Sequence, residues 1–270
     1  MRRWLTPLAL TIACAIPLRA DVRVTSATTV EGAAAAMMGG TSPTVVMHIK
    51  GMKARADVDL SGKTVSTITD ITARQFIILS AAEKTAHIIT PGVKPADGAF
   101  APAMPKMDAT IAPTGKSQTI AGVPCDEFTV AMSMSMAEMA GSQMPPEAAE
   151  MMKSIRIAMN GSMWVAKSGP GAAEYIAYQA ASAKENLASL MGVVPGMRSS
   201  GLDRLMNAFA NAEGIPYLTE LALTIVGNDQ IAALMKQQGD IKVVTKITEV
   251  STDPISDDLF KVPEGYKIVE

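Results

Sequence analysis

The chain has 270 residues, of which 48% are hydrophobic and only 4% aromatic, and 20 of them are methionine. This is enough apolar sequence for one large core, which Ala, Val, Ile, Leu and Met must fill. A formal net charge of −2, with no basic stripe, excludes nucleic acid as a partner.

The first 20 residues have the pattern of a cleaved export signal. A basic start precedes an apolar run from Leu5 to Leu18, and Ala20 is a small residue of the kind that precedes a cleavage point. The run is shorter than the ~20 apolar residues of a membrane-spanning helix. We therefore predict a periplasmic or secreted protein. Its mature part, residues 21–270, carries a net charge of −5 because three arginines leave with the signal.

Cysteine usage predicts no disulfide in the mature chain, because Cys14 lies in the signal and Cys125 remains alone. An activated cysteine needs partial exposure and a neighbouring histidine, so Cys125 is interpreted as a buried, inert thiol. Lipidation at Cys14, which would anchor the chain to a membrane, is a minor alternative. Thr11 stands where a lipidation motif has leucine.

Period-2 alternation and β-branched residues predict an antiparallel meander in the first half of the mature chain. The predicted strands are 22–30, 44–50, 52–59, 63–70, 74–79, 85–90 and 107–112. Residues 91–106 contain four prolines, which predicts a long loop. Residues 115–122 are expected to lead into a turn. The clearest alternation comes next, at 126–136, where Phe128, Val130, Met132, Met134 and Met136 share one face.

The second half changes its period after another predicted long loop, at 137–150. Asn160-Gly161 predicts a hairpin between strands 154–160 and 162–166. Apolar spacing from Ala172 to Met191 predicts an amphipathic helix, and a second short helix is expected to end near Phe209. Strands are predicted at 217–226 and 240–250. The tail from Ser251 is expected to be irregular.

Three parts of the sequence carry a resemblance to known proteins. They are MKARAD at 52–57 with the hairpin at 74–90, IAGVPCDEFTV at 120–130 with MWVAK at 163–167, and DPISDDLF at 253–260 with VPEGY at 262–266. As a set they resemble an uncharacterised family of exported bacterial proteins, a domain of unknown function. The fold of that family is similar to that of the periplasmic lipoprotein carriers LolA and LolB.

The resemblance spans most of residues 21–270 and implies a single α+β domain. Its strongly curved antiparallel sheet would be an unclosed barrel with helices covering the concave face. In the carriers that cavity holds acyl chains, which implies a non-enzymatic binding protein for a lipid, an acylated protein or another apolar ligand. The expected cavity wall contains apolar residues of the Met-rich strand and the second helix: Met132, Met134, Met136, Leu205, Met206 and Phe209.

Two alternatives stay open. One is an interaction or scaffold protein of the cell envelope with a filled core. The other is a Cu(I)-handling protein, because soft thioethers select Cu(I) and Met132, Met134 and Met136 alternate. Alternate residues on a strand lie about 6.6–7 Å apart, too far to meet one ion without bending. Core packing or a pliable ligand wall therefore explains the run better than copper.

The polar residues predict no catalytic set, so the chain is not expected to be an enzyme. His48 and His87 lack ligand-spaced partners and are interpreted as surface or sheet-edge histidines, so no metal or other cofactor is predicted. Lys53 and Arg55 are expected to be solvated, and Asp253-Pro254 and Ser256-Asp257-Asp258 to form a turn and a helix cap. Peripheral contact with a membrane stays open, and the sequence predicts no oligomeric state.

Overall fold

The computed structural model describes residues 21–32, 42–60, 63–89, 107–135, 155–185, 208–227 and 241–269. The predicted signal peptide and the predicted loops at 91–106 and 137–150 lie outside these ranges. So do the predicted wall residues Met136, Leu205 and Met206. No helix in the described ranges is both long enough and apolar enough to span a membrane.

Twelve strands of the described residues form one sheet. The strands are β1 (Val22–Glu31), β2 (Thr44–Lys50), β3 (Lys53–Leu60), β4 (Lys63–Asp70), β5 (Gln75–Ser80), β6 (Thr85–Ile89), β7 (Met107–Ile120), β8 (Val123–Ser135), β9 (Arg156–Ala166), β10 (Ile215–Val226), β11 (Ile241–Ser251) and β12 (Lys267–Val269). Their order across the sheet is β12-β6-β5-β4-β3-β2-β1-β11-β10-β9-β8-β7. One helix, α1 (Ala172–Lys184), comes after β9.

The strand order confirms the predicted fold class, an α+β protein with a curved, unclosed sheet. Strands β1 to β6 are sequential antiparallel neighbours, as a meander requires. Strands β1 and β11 pair with Val24 opposite Val250, which joins the two ends of the chain within one sheet. The sheet is mixed and not wholly antiparallel, because β12 runs parallel to β6.

The sheet bends around α1. The helix contacts both β2 and β10, which are separated in the sheet by β1 and β11. Three strand spacings of ~4.8 Å would hold β2 and β10 about 14 Å apart if the sheet were flat. Helix α1, about 10–12 Å wide, lies against both strands on the concave side of the curved sheet. We call this concave side the inner face; Val22, Ile49 and Tyr178 belong to its buried core.

Helix α1 confirms a helix from Ala172 to Lys184, but its buried side chains are Ala172, Tyr178 and Ser182, and Ala180 of the predicted apolar spacing is exposed. The rest of the predicted helix, after residue 185, lies outside the described residues. Gly171 precedes the helix with a φ of 70°, in the left-handed region that glycine adopts without strain. A Cβ at this position would overlap the side chain of Val22. Glycine therefore allows the chain to turn into α1 directly against β1. Residues 208–211, from the predicted second helix, are also helical.

The predicted hairpin at Asn160-Gly161 is wrong. Strand β9 runs unbroken from Arg156 to Ala166 and pairs with β8 on one side and β10 on the other. A Cβ at position 161 would overlap the backbone carbonyl of Glu220 on β10. Glycine stands here because the neighbouring strand approaches closely, not because the chain turns.

The predicted irregular tail is also wrong in part. It contains a 3-10 turn, Asp257–Phe260, and the edge strand β12. Ser256 Oγ accepts a hydrogen bond from the backbone N–H of Asp258 at 3.3 Å, which confirms the expected capping. Phe260 packs in a buried cluster with residues of β4, β5 and β6 on the side of the sheet opposite α1, which we call the outer face. Strand β7 continues to Ile120, beyond the predicted end at residue 112, and the expected turn follows at Ala121-Gly122.

Candidate apolar binding site

An apolar cluster on the inner face brings two of the predicted wall residues together. Its buried members are Phe128, Val130, Met132, Met163, Val165 and Ala212. Phe209 packs against this cluster, so Met132 and Phe209 belong to one apolar wall. Met134 comes next on the same face of β8 and is half-buried. The remaining three predicted wall residues lie outside the described part of the chain.

Strand β8 presents this wall because its side chains alternate. Phe128, Val130 and Met132 are buried, whereas Thr129 and Ala131 between them are exposed. Successive side chains of a strand point to opposite faces, so the alternation predicted from sequence becomes one apolar row. Across the sheet, Phe128 faces Met163 and Met132 faces Met159 on β9. The two rows together form a continuous apolar floor.

A cavity of about 190 Å³ lies between this floor and α1. We call it the inner cavity. Met163, Val165 and Pro216 of the sheet bound it on one side, and Phe209 and Ala212 on another. Tyr175 and Gln179 of α1 complete the lining together with Gly214. The side chains of Tyr175 and Gln179 hydrogen-bond to each other, and burial raises the pKa of the tyrosine. One neutral polar pair therefore faces an otherwise apolar space.

The size of the inner cavity limits what it can hold. An apolar cavity of about 150 Å³ accepts benzene, whereas pockets for drug-sized ligands span about 300–1,000 Å³. A volume of about 190 Å³ therefore suits a short apolar segment, such as the end of an acyl chain, and not a whole lipid.

Half-buried apolar residues continue the wall of the inner cavity along the sheet. Leu221 on β10 lies opposite Gly161 on β9 and Val243 on β11, and Leu223 lies opposite Met159. The side chains of Met159, Leu221, Leu223 and Val243 are all half-buried. We call Met159, Leu221, Leu223 and Val243 the inner apolar path. It offers an elongated apolar ligand a surface beyond the cavity itself.

The strand pairing also bears on the copper alternative. Met159 lies opposite Met132, so a second thioether faces the Met-rich strand from β9. Both side chains belong to the apolar cluster, Met132 as a buried member and Met159 packed against it. Among the described residues, no three His, Cys, Asp or Glu side chains are grouped so that they could hold a metal ion.

Cys125 is a buried thiol, as predicted, with 1% of its surface exposed. Its Sγ donates to the backbone carbonyl of Val123 at 3.4 Å. Burial raises the pKa of the thiol, which keeps it protonated and unreactive near neutral pH.

The interpretation of His48 as a surface or edge residue is wrong. Strand β2 is internal to the sheet, and the His48 side chain is only 15% exposed. Its Nε2 lies 4.0 Å from Asp57 Oδ2, and its buried Nδ1 has no hydrogen-bond partner in the part of the chain that the structure describes. Burial, more than any neighbouring charge, lowers the pKa of His48.

Arg55 is likewise not the solvated residue that the sequence predicts. Its Nε donates to Asp57 Oδ1 at 2.8 Å, and its Nη1 donates to the carbonyl of Leu259 in the tail at 3.2 Å. Ser66 Oγ donates to Asp57 as well. Arg55 Nη2 also donates to Ser66 Oγ at 3.2 Å, so the three side chains form one hydrogen-bonded network. It ties β3 and β4 to the tail on the outer face.

Comparisons with known proteins give only distant likenesses. No family model matches the chain, and no curated protein matches it. Among solved structures, an uncharacterized conserved protein from Thermus thermophilus is 7% identical, with a TM-score of 0.39 over 93% of this chain and 91% of that one. The lipoprotein LppX of Mycobacterium tuberculosis is 9% identical, with a TM-score of 0.28 over 87% and 88%. These likenesses are too low to assign a function, and the resemblance to the lipoprotein carriers stays a prediction.

Proposed function

We propose that this chain is a non-enzymatic, periplasmic or secreted binding protein for a lipid, an acylated protein or another apolar ligand. The observation that carries the proposal is the continuity between the inner cavity and the inner apolar path. The cavity accepts the end of an apolar chain, and the half-buried side chains of β9, β10 and β11 accept the rest of that chain.

The energetics favour such a ligand. Each methylene group removed from water contributes about 0.8 kcal/mol, so a micromolar affinity needs about ten methylenes buried along the cavity and the inner apolar path together, before the cost of association is counted. Met132, Met159 and Met163 surround the site. Methionine side chains are unbranched and adapt to irregular shapes, so they can pack against apolar chains that differ in length or unsaturation.

The proposal is tested by purifying the full-length gene product from its native cell envelope without detergent. Mass spectrometry of an organic extract then identifies any bound lipid. We expect a lipid or acyl chain at close to one equivalent per protein. An empty extract, together with no change in melting temperature on adding fatty acids, would overturn the proposal and favour an interaction protein with a filled core.

A further inference from the structure

A second pocket lies on the opposite flank of α1 from the inner cavity. It has a volume of about 330 Å³ and is open to solvent. Its apolar lining residues are Met52, Ile71 and Ala181, and its polar lining residues are Thr72, Arg74, Lys184 and Glu185. We call this the flank pocket. It shares no lining residue with the inner cavity.

The helix separates the two pockets. Tyr178 and Ser182 form the buried stripe of α1. With 3.6 residues per turn, Tyr175 and Gln179 lie to one side of this stripe, and Ala181 and Lys184 lie to the other. A ligand in the flank pocket therefore contacts the end of α1 and the turn after β4, and leaves the inner cavity free.

The polar lining of the flank pocket includes two cations that have no carboxylate partner among the described residues. The carboxylate nearest to Arg74 in sequence is Asp70, and it is already engaged. Asp70 accepts a hydrogen bond from the backbone N–H of Ala73 at 2.9 Å and pairs with Lys53 Nζ at 3.4 Å. Arg74 itself is held by the turn, with its N–H donating to the carbonyl of Ile71 at 3.2 Å. Lys184 and Glu185 are both exposed at the end of α1.

We infer that the flank pocket binds a single-chain amphiphile with an anionic headgroup, such as a fatty-acid carboxylate. Arg74 and Lys184 would hold the headgroup, and the first methylenes would pack on Met52, Ile71 and Ala181. The pocket volume lies within the range of small-ligand sites, and the apolar and polar lining residues match the two ends of such a molecule. The chain is acidic overall, so the attraction for an anion would come from this local pair of cations, which outnumber the one carboxylate of the same pocket, Glu185.

The first experiment compares headgroups on one chain length. Laurate, lauryl maltoside and lauryl-trimethylammonium are titrated into delipidated protein by calorimetry, below the concentrations at which they form micelles. NMR of the methionine methyl groups separates the two pockets, because Met52 lines the flank pocket and Met163 lines the inner cavity. We expect laurate to shift the Met52 signal, and the neutral and cationic probes to leave it unchanged.

The second experiment removes the cations. In the double variant R74Q/K184Q we expect the laurate affinity measured at Met52 to fall about tenfold, because two solvent-exposed ion pairs, each of modest strength, are lost. The variant K246Q/K267Q, which removes the same charge from exposed positions elsewhere, is expected to bind as the wild type does. High salt should weaken the Met52 response, because exposed charges are screened.

Three results would overturn the inference. These are an unchanged laurate affinity at Met52 in R74Q/K184Q, an equal Met52 shift with lauryl maltoside, or binding of inorganic phosphate as tight as that of laurate. Since the readout is local, failure at Met52 is distinguishable from failure of the proposed inner site, which Met163 reports.

Discussion

Arg55 and Asp57 lie two residues apart on β3 and form an ion pair on the outer face, with Nε 2.8 Å from Oδ1. Both side chains are mostly buried, at 18% and 22% exposure. The same carboxylate accepts a hydrogen bond from Ser66, and the same guanidinium reaches Leu259 in the tail. Two strands and the tail are therefore held through one pair of charges.

Replacing Asp57→Asn should destabilise the protein by about 2–3 kcal/mol, because Arg55 would keep a charge in a largely buried site without its counter-ion. Urea unfolding measures the change. Glu264→Gln, at an exposed carboxylate of the tail, is the control and should stay within about 0.5 kcal/mol of the wild type. Equal stabilities for the two variants would show that the ion pair contributes nothing.

His48 should make stability depend on pH. Burial lowers its pKa in the folded protein below the ordinary value of 6.5, so the unfolded chain binds a proton more readily than the folded one. The free energy of unfolding should therefore decrease as pH falls through about 6.5 and level off below the folded pKa. Asp57 opposes this shift, and Arg23 and Arg55 reinforce it.

The measurement is the melting temperature of the wild type and His48→Gln from about pH 7.5 to about pH 5.5. In His48→Gln the melting temperature should depend less on pH than in the wild type. The control variant His87→Gln removes the other histidine and should keep the dependence that His48 causes. If His48→Gln and the wild type have the same slope, His48 is not buried in its neutral form.

Gly161→Ala should cost about 1–3 kcal/mol, because the new Cβ would overlap the Glu220 carbonyl and force β9 and β10 apart. Asn160→Ala on the same strand, where the side chain is exposed, serves as the control. Thermal unfolding of the two variants and the wild type measures the difference in stability. A Gly161→Ala variant as stable as Asn160→Ala would contradict the close approach of the two strands.

Local patterns predicted most of the strands. Residues 44–50 and 63–70 match β2 and β4 at both ends, because each has a β-rich sequence bounded by turn residues. The hairpin prediction at Asn160-Gly161 was wrong because this short-range turn signal does not show the strands that pair with β9 on either side. The close approach of β10 that requires Gly161 comes from residues about 60 positions later in the chain, which no local pattern contains.

The candidate site was predictable only in part. The alternation of β8 placed Met132 in an apolar row, and the structure brings Phe209 to the same cluster. Met163 and Val165 lie within the predicted strand 162–166 but were missed as wall residues, because the local sequence does not show that this strand pairs with β8 and β10 and places them on the inner face. Ala212 has no sequence signal at all. The polar contacts of His48 and Arg55 join separate strands and the tail, so they could not be predicted from local sequence patterns either.

Cys125 should be protected from thiol reagents in the native protein. Burial and a raised thiol pKa both suppress the thiolate that reacts. We expect labelling by a disulfide reagent to be slow in buffer and complete within the mixing time in denaturant. Rapid stoichiometric labelling of the native protein would contradict the buried position.

The most direct test of the apolar site fills the inner cavity. Ala212 is 2% exposed and lines the cavity, so Ala212→Leu places additional carbon atoms where the ligand would lie. Ala131→Leu, on the exposed face of β8, adds the same atoms outside it. Binding of a fluorescent fatty acid is titrated for the wild type and both variants, with melting temperatures measured in parallel to verify folding.

Displacing about two methylenes from the cavity should weaken binding by about tenfold in Ala212→Leu. Ala131→Leu should bind as the wild type does. If folded Ala212→Leu binds the fatty acid with the wild-type affinity, the inner cavity is not where the apolar ligand is held.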